Sequence, residues 1–445
     1  MSTGEPVMSE HATALARRIA DRTARIAVVG QGYVGLPLAV EFAKAGYRVA
    51  GLDNDLERVT NLAMGRSHVG DVPSEDIQML VRAGRYAPTT EPRVLADSDV
   101  VIICVPTPLR KSKDPDISYV VAAAKDAAAY VRAGQLVVLE STTYPGTTEE
   151  LLQPLFEASG AVLGEDFFLA FSPERIDPGN PMFKVKDIPK VVGGVTPACR
   201  TLAAHLYRQI VSRVHEVSTP KVAELAKLYE NVFRNVNIAL ANEFALMCRY
   251  LGVDSREVID AAATKPFGFM PFYPGPGIGG HCIPVDPLYL SWKMRLSGYE
   301  ARFISLADDI NRTMPSHVVR LVADALNDAG LPLNGARILV LGVAYKRAIA
   351  DTRESPAYEI IHALRQKGAD VSYADPHVPA LWINGHGMKA VDLTQDEVRG
   401  ADCVLILTDH PEFDYATVAR HARLVVDTRH SVPDGTPRRG RLVRL

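Results

Sequence analysis

Residues 25–53 read RIAVVGQGYVGLPLAVEFAKAGYRVAGLD and carry the clearest structural signal in the chain. The apolar run RIAVV leads into Gly30, Gly32 and Gly35 at the spacing GxGxxG, and a helix-like stretch and a second apolar run follow before Asp53. The first glycine of such a turn allows a sharp bend, the second lets a pyrophosphate approach the backbone, and the third lets the helix pack on the strand. This order of strand, glycine turn, helix and strand predicts a dinucleotide-binding unit on a parallel sheet.

The acidic residue that closes this stretch indicates which dinucleotide binds. Asp53 lies eighteen residues after Gly35, where a carboxylate can accept hydrogen bonds from both ribose hydroxyls of NAD and would repel the 2′-phosphate of NADP. Arg58 follows and could contact the adenosine of the cofactor. The alternative is that Arg58 is simply a solvent-exposed residue of a helix. We therefore expect NAD as the cofactor, with contacts from the turn and its flanks: Gly30, Gly32, Tyr33, Val34, Gly35, Asp53 and Arg58.

Three further apolar runs, at 100–105, 136–139 and 167–171, continue the alternation of strands and helices. Polar residues follow each run, with Thr107 after the first, and ESTTYPG and SPER after the other two. Ligands of α/β folds bind at the carboxyl ends of the strands, so these residues suit the wall of a cleft. Simple caps and turns would explain any one of them alone.

From 221 to 251 the pattern changes to one long helix, KVAELAKLYENVFRNVNIALANEFALMCRYL. At 1.5 Å per residue it would span about 45 Å, and its apolar residues occupy more than one face. We therefore expect a central helix that also packs against its copy in a homodimer. Lys227 and Asn231 lie four residues apart and share one face of this helix. A lysine in such a place is more often solvated than catalytic.

Residues 272–290, FYPGPGIGGHCIPVDPLYL, form the second distinctive stretch. So many glycines and prolines predict an irregular loop around Cys282, with the carboxylate of Asp286 four residues further on. The glycine pair before the cysteine would leave room for a ligand to approach the sulfur. The alternative is a turn that buries the cysteine as a small apolar residue.

A second α/β unit starts with the apolar run RILVLGV at 337–343, and strands are expected at 371–373, 403–407 and 424–426. Its first turn lacks the glycine fingerprint, so we expect it to bind a nucleotide differently. The predicted fold class is α/β, with two Rossmann-like doubly wound domains joined by a central helical domain that contains one long helix. The expected division is a tail or short helix at 1–24, followed by domains at 25–213, 214–318 and 319–445.

The composition of the chain argues against several classes of function. The 445 residues carry a net charge of −3, which gives no basic footprint for nucleic acid or an anionic membrane. No apolar run approaches eighteen residues, and no signal peptide is recognisable, so we expect a cytoplasmic protein. The five cysteines are scattered without CxxC spacing, which argues against a disulfide framework and a structural zinc site, and we expect no metal.

Seven motifs in order give the chain a specific resemblance: GQGYVGLPLA (30–39), VPTP (105–108), ESTTYPGTT (140–148), SPERIDPGN (172–180), AELAKLYENVFRNVNIALANE (223–243), GPGIGGHCIPVDP (275–287) and DTRESPA (351–357). The chain resembles the UDP-glucose/GDP-mannose dehydrogenase family of nucleotide-sugar 6-dehydrogenases over nearly everything after residue 24. The resemblance implies a four-electron oxidation in which a C6 alcohol becomes a carboxylate with two NAD⁺ and one water. Cys282 would carry the substrate as a thiohemiacetal and then as a thioester.

The resemblance also implies roles for the other motif residues. Lys227 and Asn231 would steady the developing oxyanion, and Asp286 would position or activate water. Glu174 would assist hydrolysis of the thioester, and Thr142 would order that water and touch the cofactor. The remaining contacts implied are Thr107 and Arg353 to the cofactor and, to the substrate, Glu174, Lys227, Asn231, Tyr273, Gly279, Tyr345 and Lys346.

Departures from the family pattern bear on the substrate. Members that act on UDP-glucose usually carry a second glutamate where this chain has Pro178, a lysine where it has Val285, and a small residue where it has His281. The forms GGHCIP and KPFGFMPFYPG resemble the UDP-N-acetylglucosamine branch, which makes UDP-N-acetylglucosamine the leading substrate. UDP-glucose, UDP-N-acetylmannosamine and a dTDP-hexose such as dTDP-glucose remain open.

Two alternatives lie outside this reaction. A two-electron dehydrogenase of the hydroxyacid type would share the dinucleotide-binding unit and the long helix, but would have no use for Cys282 in a glycine–proline loop. An inactive NAD-dependent sensor is disfavoured by the intact set of Cys282, Lys227 and Asp286. The number of NADH released per sugar, which is two, one or none, distinguishes the three.

Overall fold

The structure is a computed structural model that describes residues 8–110, 113–175, 182 and 185–445. Pro178, which bears on the expected substrate, lies outside the described residues. The chain forms two compact units. The first contains Met1–Glu230 and Leu288–Ser297, and the second contains Asn231–Pro287 and Gly298–Leu445.

An eight-stranded sheet organises the described part of the first unit, in the order β3-β2-β1-β4-β5-β6-β7-β8. All neighbours are parallel except β6 and β7. β1, β4, β5 and β6 are almost wholly buried apolar runs, as expected for strands covered on both faces. The strands are β1 (Arg25–Val29), β2 (Arg48–Leu52), β3 (Tyr86–Thr89), β4 (Val100–Ile103), β5 (Gln135–Leu139), β6 (Phe167–Phe171), β7 (Lys190–Gly194) and β8 (Val214–Val217).

Helices cover this sheet and bury their apolar stripes in two clusters of core residues. They are α1 (Glu10–Ala20), α2 (Gly35–Lys44), α3 (Leu56–Ala63), α4 (Ser74–Arg82), α5 (Ser118–Ala129), α6 (Gln153–Glu157) and α7 (Pro197–Tyr207). Of the two alternatives expected for the N-terminal segment, the structure has the short helix. The Ser9 side chain caps α1, and Leu15 and Ile19 are fully buried in the core of the first unit, where α1 packs on α7.

The long helix, α8 (Pro220–Leu251), begins in the first unit and continues into the second, within one residue of the expected start. After it come α9 (Ser255–Ala263), α10 (Asp286–Leu296) and α11 (Arg302–Asp328). α10 likewise starts in the second unit and continues in the first. Among the described residues, no helix has the length and apolar character that crossing a membrane requires.

A five-stranded parallel sheet forms the core of the second unit, in the order β10-β9-β13-β14-β15. The remaining elements are β9 (Arg337–Leu341), α12 (Pro356–Gln366), β10 (Asp370–Ala374), β11 (Ala380–Ile383), β12 (His386–Lys389), α13 (Gln395–Gly400), β13 (Cys403–Ile406), α14 (Tyr415–His421), β14 (Leu424–Asp427) and β15 (Arg441–Arg444). β11 and β12 pair as a separate antiparallel hairpin. One mostly parallel sheet, one parallel sheet and a long helix confirm the expected α/β class.

Candidate active site

The glycine turn after β1 has the geometry that its sequence predicts. Gly30 has a φ of +90°, and a Cβ there would lie 2.5 Å from the carbonyl oxygen of Cys104. A Cβ on Gly35 would collide with the carbonyl of Gly30, so the close approach of α2 to β1 requires glycine. At Gly32 a Cβ would meet nothing within 4 Å. The backbone there is open on the side where a pyrophosphate would approach the start of α2, so the turn fits the cofactor.

Asp53 directly follows β2 and is nearly buried, with a relative exposure of 6 %. Its carboxylate accepts hydrogen bonds from the backbone N–H groups of Gln31 at 2.7 Å and Asp55 at 3.0 Å. Arg58, expected on the adenosine side, donates to the same carboxylate at 2.9 Å. The guanidinium therefore offsets part of the charge that would face a ribose. Tyr33 and Val34 lie between the glycines, and Tyr33 is about half exposed.

The residues after β4 and β5 lie in braced loops. Thr107 is buried, and its carbonyl accepts a hydrogen bond from the Tyr289 hydroxyl at 2.9 Å. Thr142 is half-buried in the loop after β5, and Glu224 on α8 holds this loop by accepting hydrogen bonds from Gly146 and Thr148. Burial raises the pKa of the Glu224 carboxyl, which its backbone donors oppose. The loop that carries Thr142 is thus fixed to the helix that carries Lys227.

Glu174 follows β6 and is held at both carboxylate oxygens. The backbone N–H of Arg175 donates to Oε1 at 2.6 Å, and the Lys190 ammonium donates to Oε2 at 3.2 Å. Its side chain is 12 % exposed. The sequence analysis named Glu174 but not Lys190, since a lysine at the start of a strand has no motif to mark it.

Lys227 and Asn231 lie one turn apart on α8, as the four-residue spacing predicts. Lys227 is half-buried, whereas Asn231 is buried at 4 % exposure. The Asn231 amide donates a hydrogen bond of 2.5 Å to the Asp286 carboxylate. Asp286 is also buried, and it opens α10. The structure therefore brings together two of the predicted catalytic residues within the second unit.

The loop that carries Cys282 is anchored to α8 at both ends. The Asn242 side-chain oxygen accepts a hydrogen bond from the backbone N–H of Gly275 at 2.9 Å. The Asn235 amide donates to the carbonyl of Ile283 at 3.1 Å, and Cys282 lies beside that second anchor. Cys282 is exposed, whereas the other four cysteines are buried: Cys104, Cys199, Cys248 and Cys403. The loop thus presents one accessible thiol on a fixed backbone.

The glycine pair before Cys282 lies close to Tyr345 on the turn after β9. A Cβ on Gly279 would lie 2.5 Å from Cβ of Tyr345, and one on Gly280 would lie 2.8 Å from the Tyr345 ring. The Gly280 N–H also donates to the carbonyl of Arg353. The glycines therefore make room for Tyr345, and the loop packs on the turn after β9. Lys346 is half-buried on that turn.

Two residues expected to contact ligands, Tyr273 and Arg353, have partners of their own. The Tyr273 hydroxyl donates to Asp260 at 2.6 Å, and the Arg256 guanidinium lies 3.9 Å from the centre of its ring. The Arg353 guanidinium, expected to contact NAD, donates to Asp351 at 2.5–3.0 Å. A role for Tyr273 or Arg353 in binding a ligand would require these side chains to share or exchange partners.

Two cationic or titratable side chains beside the loop add to the expected set. Nη1 of Arg429 would lie 2.6 Å from a Cβ on Gly275, so this guanidinium lies against the loop backbone, and its Nε donates to the Leu407 carbonyl. The sequence analysis missed Arg429, although an arginine just after β14 is at the carboxyl end of a strand. Burial lowers the pKa of His281, the residue before Cys282, so its imidazole is neutral at pH 7.

The second sheet repeats the arrangement around Asp53 but seals it. Asp375 follows β10 as Asp53 follows β2, and its carboxylate accepts from the backbone N–H of Val343, two residues past β9. The His410 ring bonds the same carboxylate at 3.1 Å, and both of these side chains are fully buried. A ribose has no access to Asp375. Asp375 therefore differs from Asp53, which follows β2 in the first unit, in what it can bind.

His410 also belongs to a cluster with metal-like spacing, together with His377 and Glu412. However, Nδ1 of His410 accepts a hydrogen bond from the Ala348 N–H, while Nε2 bonds Asp375. With both ring nitrogens engaged, His410 has no lone pair to offer an ion. The cluster is therefore a structural brace of the turn after β9.

Models of the UDP-glucose/GDP-mannose dehydrogenase family match three successive parts of the chain. The NAD binding domain matches residues 24–211, the central domain residues 221–313, and the UDP binding domain residues 339–434. Together they cover the glycine turn, nearly all of α8 with the Cys282 loop, and most of the second sheet.

Individual relatives match over nearly their whole length. A UDP-N-acetyl-D-mannosamine dehydrogenase of Pyrococcus horikoshii is 38 % identical over 419 residues, which are 92 % of this chain and 96 % of that one. A UDP-N-acetyl-D-glucosamine 6-dehydrogenase of Pseudomonas aeruginosa is 39 % identical over 393 residues, 87 % of this chain and 91 % of that one. The solved structure of a UDP-N-acetyl-mannosamine dehydrogenase from Pyrococcus horikoshii superposes with a TM-score of 0.86 at 36 % identity, covering 94 % and 98 % of the two chains. The chain therefore belongs to the UDP-glucose/GDP-mannose dehydrogenase family and is an NAD-dependent nucleotide-sugar dehydrogenase.

Proposed function

We propose that the protein oxidises the C6 hydroxyl of a UDP-N-acetylhexosamine, with UDP-N-acetylglucosamine as the leading substrate, to the uronate in two NAD-dependent steps. The observation that carries this proposal is Cys282, the exposed member of the five cysteines, on a loop anchored to α8 at both ends. A two-electron alcohol dehydrogenase needs no such nucleophile. A four-electron oxidation needs one, because an aldehyde has no hydroxyl from which hydride can be expelled.

In the first oxidation, the substrate hydroxyl loses a proton as the C6–H bond breaks. Bound NAD supplies the chemistry of this oxidation and of the second by accepting a hydride from C6. Asp286 takes the hydroxyl proton, directly or through a water, because it is a carboxylate oriented by the Asn231 amide. Lys227 donates to the developing oxyanion, which an ammonium stabilises. The product is an aldehyde.

In the second oxidation, the Cys282 sulfur bonds to the aldehyde carbon, and the carbonyl oxygen becomes the hydroxyl of a thiohemiacetal by taking up a proton. Loss of that proton and of the C6 hydride then gives a thioester and restores the C=O bond. Lys227 and Asn231 stabilise the oxygen each time it carries negative charge. An ammonium in the site also favours the thiolate form of Cys282.

Hydrolysis completes the cycle. A water molecule loses one proton to Glu174, its oxygen bonds to the thioester carbon, and the C–S bond breaks with its electron pair on Cys282. The carboxylic acid that forms and Glu174 each lose a proton to solvent, so the products are the uronate and the free Cys282 thiolate. Glu174 suits this step because both of its carboxylate oxygens are held by donors, so it can accept a proton at a fixed place.

The sugar assignment rests on the relatives and on the loop sequence. The two relatives described above are named for N-acetylated hexosamines, one for a mannosamine and one for a glucosamine derivative. The GGHCIP form of the loop favours the glucosamine branch among them. The mannosamine derivative is the second candidate, since the structure with a TM-score of 0.86 is named for that substrate.

The test is an NADH count on a small panel: UDP-N-acetylglucosamine, UDP-N-acetylmannosamine, UDP-glucose and dTDP-glucose. We expect two NADH per sugar and the highest kcat/KM with UDP-N-acetylglucosamine. If two NADH are released per sugar but another sugar of the panel is preferred, the four-electron reaction stands and UDP-N-acetylglucosamine is rejected as the substrate. One NADH per sugar would reject the four-electron reaction.

We also propose that the protein is a homodimer that forms through the outer face of α8. Large apolar side chains are exposed along this face in the second unit, including Phe233 at 41 %, Leu240 at 59 % and Tyr250 at 93 %. Phe233 and Leu240 line an open groove of about 670 Å³ with residues of α9 and of the segment after it. Exposed apolar residues on a helix that is apolar on more than one face favour a partner surface there.

A further inference from the structure

Lys190 is the first residue of β7 and lies in the interior of the first unit. Its side chain is 5 % exposed, and its ammonium lies 2.8 Å from Oε2 of Glu140 and 3.2 Å from Oε2 of Glu174. It also lies 3.4 Å from the Pro173 carbonyl. A buried ammonium is costly unless it is paired and hydrogen-bonded, and three oxygens provide for it here.

Glu140 is the second buried charge and has no solvent-exposed surface on its side chain. It follows β5, and its Oε1 accepts a hydrogen bond from the Tyr207 hydroxyl, while Oε2 accepts from Lys190. Burial raises the pKa of the Glu140 carboxyl, and the charge of Lys190 and the hydrogen bonds from Lys190 and Tyr207 oppose that rise. Burial opposes the charge on Lys190, but Glu140 and Glu174 together raise the pKa of its ammonium above the ordinary value. Lys190 therefore stays charged and is paired with Glu140 through a buried contact of 2.8 Å.

Glu174 is the most exposed member of this network, and its neighbour Arg175 also holds it in position. Arg175 donates from its backbone to Glu174, from Nη1 to the carbonyl of Pro189 at 2.7 Å, and from Nη2 to Glu230 on α8 at 2.7 Å. The segment from Glu174 to Arg175 is thus tied to the start of β7 and to the helix that carries Lys227. These ties leave Glu174 little freedom to turn.

We propose that Lys190 is a positioning residue for the thioester hydrolysis, with Glu140 as its counter-ion. This inference rests on the proposed function, in which Glu174 accepts a proton from the attacking water. Lys190 orients Oε2 of Glu174 through one charged hydrogen bond and keeps the other oxygen turned to the Arg175 N–H.

Glu140 explains how Glu174 can gain and lose a proton in every cycle. If Glu174 were the only partner of Lys190, each protonation would leave an unpaired ammonium in the interior, which costs several kcal/mol. With Glu140 in place, Lys190 remains paired in both states of Glu174. The groups that face Lys190 are these two carboxylates, the Tyr207 ring at 5.3 Å, and the Cys104 thiol, whose pKa burial raises so that it stays neutral.

The test separates hydrolysis from the two oxidations. The double variant Lys190→Met/Glu140→Gln removes both charges of the ion pair together, which avoids leaving one buried and unpaired. With a substrate of the wild-type enzyme, we expect a rapid release of two NADH per active site, followed by turnover about a hundredfold slower than wild type. Intact mass spectrometry should then find one nucleotide-uronyl group attached to the protein, and Glu174→Gln should accumulate the same adduct. Lys125→Met, at an exposed lysine on α5, is the matched control and should behave as wild type.

Lys190→Arg should restore part of the steady rate, since a guanidinium can also donate to both carboxylates. Turnover of the double variant at the wild-type rate would overturn the inference. So would a slow release of the first NADH without any adduct, because a residue with a merely structural role would slow all steps alike. A wild-type protein that releases two NADH per sugar while the double variant forms no adduct rejects only this inference. A wild-type protein that releases none rejects the proposed function and this inference with it.

Discussion

The Asn231 amide lies 2.5 Å from the Asp286 carboxylate, and the two residues are 55 positions apart in the chain. Asn231→Ala should lower kcat on the order of a hundredfold, because Asp286 loses the donor that orients it and the substrate oxyanion loses a proposed partner. Asn231→Asp should lower it further, since it places a second carboxylate against Asp286 in a buried site. Steady-state kinetics measures both. Asn327→Ala, at an exposed asparagine of α11, is the control. Unchanged kcat in Asn231→Ala would remove this residue from the proposed machinery.

Cys282→Ser separates the two oxidations. The first oxidation needs no sulfur, so the variant should still interconvert the alcohol and the aldehyde. Steady formation of uronate should fall by at least about a hundredfold, because serine is a poorer nucleophile and leaving group. Single-turnover NADH yield and intact mass are the measurements. Cys248→Ser, at a buried cysteine of α8, should retain uronate formation. If Cys282→Ser produced uronate at the wild-type rate, the thioester route would be wrong.

The Asp53–Arg58 ion pair should set the cofactor preference. In the wild type, kcat/KM with NAD⁺ should greatly exceed that with NADP⁺, since the Asp53 carboxylate repels a 2′-phosphate. Asp53→Asn removes that charge and frees Arg58, which lies 2.9 Å away, to contact the phosphate. The ratio should shift toward NADP⁺ by on the order of tenfold or more. The double variant Asp53→Asn/Arg58→Ala is the control, and its kcat/KM ratio should shift less toward NADP⁺ because it lacks the guanidinium. A ratio that does not move would mean that Asp53 does not face the ribose.

Asp375 should make the stability of the second unit depend on pH. Burial alone would raise its pKa, but hydrogen bonds from His410 and backbone N–H groups lower it below the ordinary value of 3.8. A carboxylate with a lowered pKa stabilises the fold above the unfolded-state value, and this contribution is lost as the pH falls through the folded-state value. At pH 7, Asp375→Asn should lower the free energy of unfolding by about 3 kcal/mol.

The difference between Asp375→Asn and wild type should narrow as the pH is lowered below about 4, since both side chains are then uncharged. Urea unfolding at a series of pH values measures it. Asp396→Asn, whose side chain is 95 % exposed, should have no comparable effect at any pH. A difference that stays constant with pH would mean that charge on Asp375 contributes nothing.

The exposed face of α8 should hold the proposed dimer. Leu240→Asp places a charge in the middle of the apolar groove and should convert a dimer to a monomer at micromolar concentration. Light scattering coupled to size exclusion measures the mass. Val162→Asp, at a half-exposed valine in the first unit, should leave the dimer intact. A wild-type protein that is monodisperse and monomeric at this concentration would reject the proposal.

Local signals determined the parts of this protein that depend on neighbouring residues. The GxGxxG turn, the apolar runs of β1 and β6 and the whole of α8 follow from backbone requirements and apolar spacing over a few residues. The Cys282 loop was recognisable for the same reason, because glycine and proline restrict the chain locally. Strands β3, β7, β8 and β15 and the β11–β12 hairpin were not predicted, since each is short and several carry proline or charged residues, so tertiary pairing alone forms them.

Only the tertiary structure decided which side chains support the site. Lys190 and Glu140 are 50 residues apart, and Asn242 and Gly275 are 33 apart, so nothing in their local sequence marks them as partners. The role of the glycine pair before Cys282 also depended on the position of Tyr345, which no local pattern contains. Burial and pairing of polar groups are set by which strands and helices meet. The sequence by itself therefore determined the family and singled out Cys282, while the folded chain decided what orients Asp286 and Glu174 and what encloses Asp375.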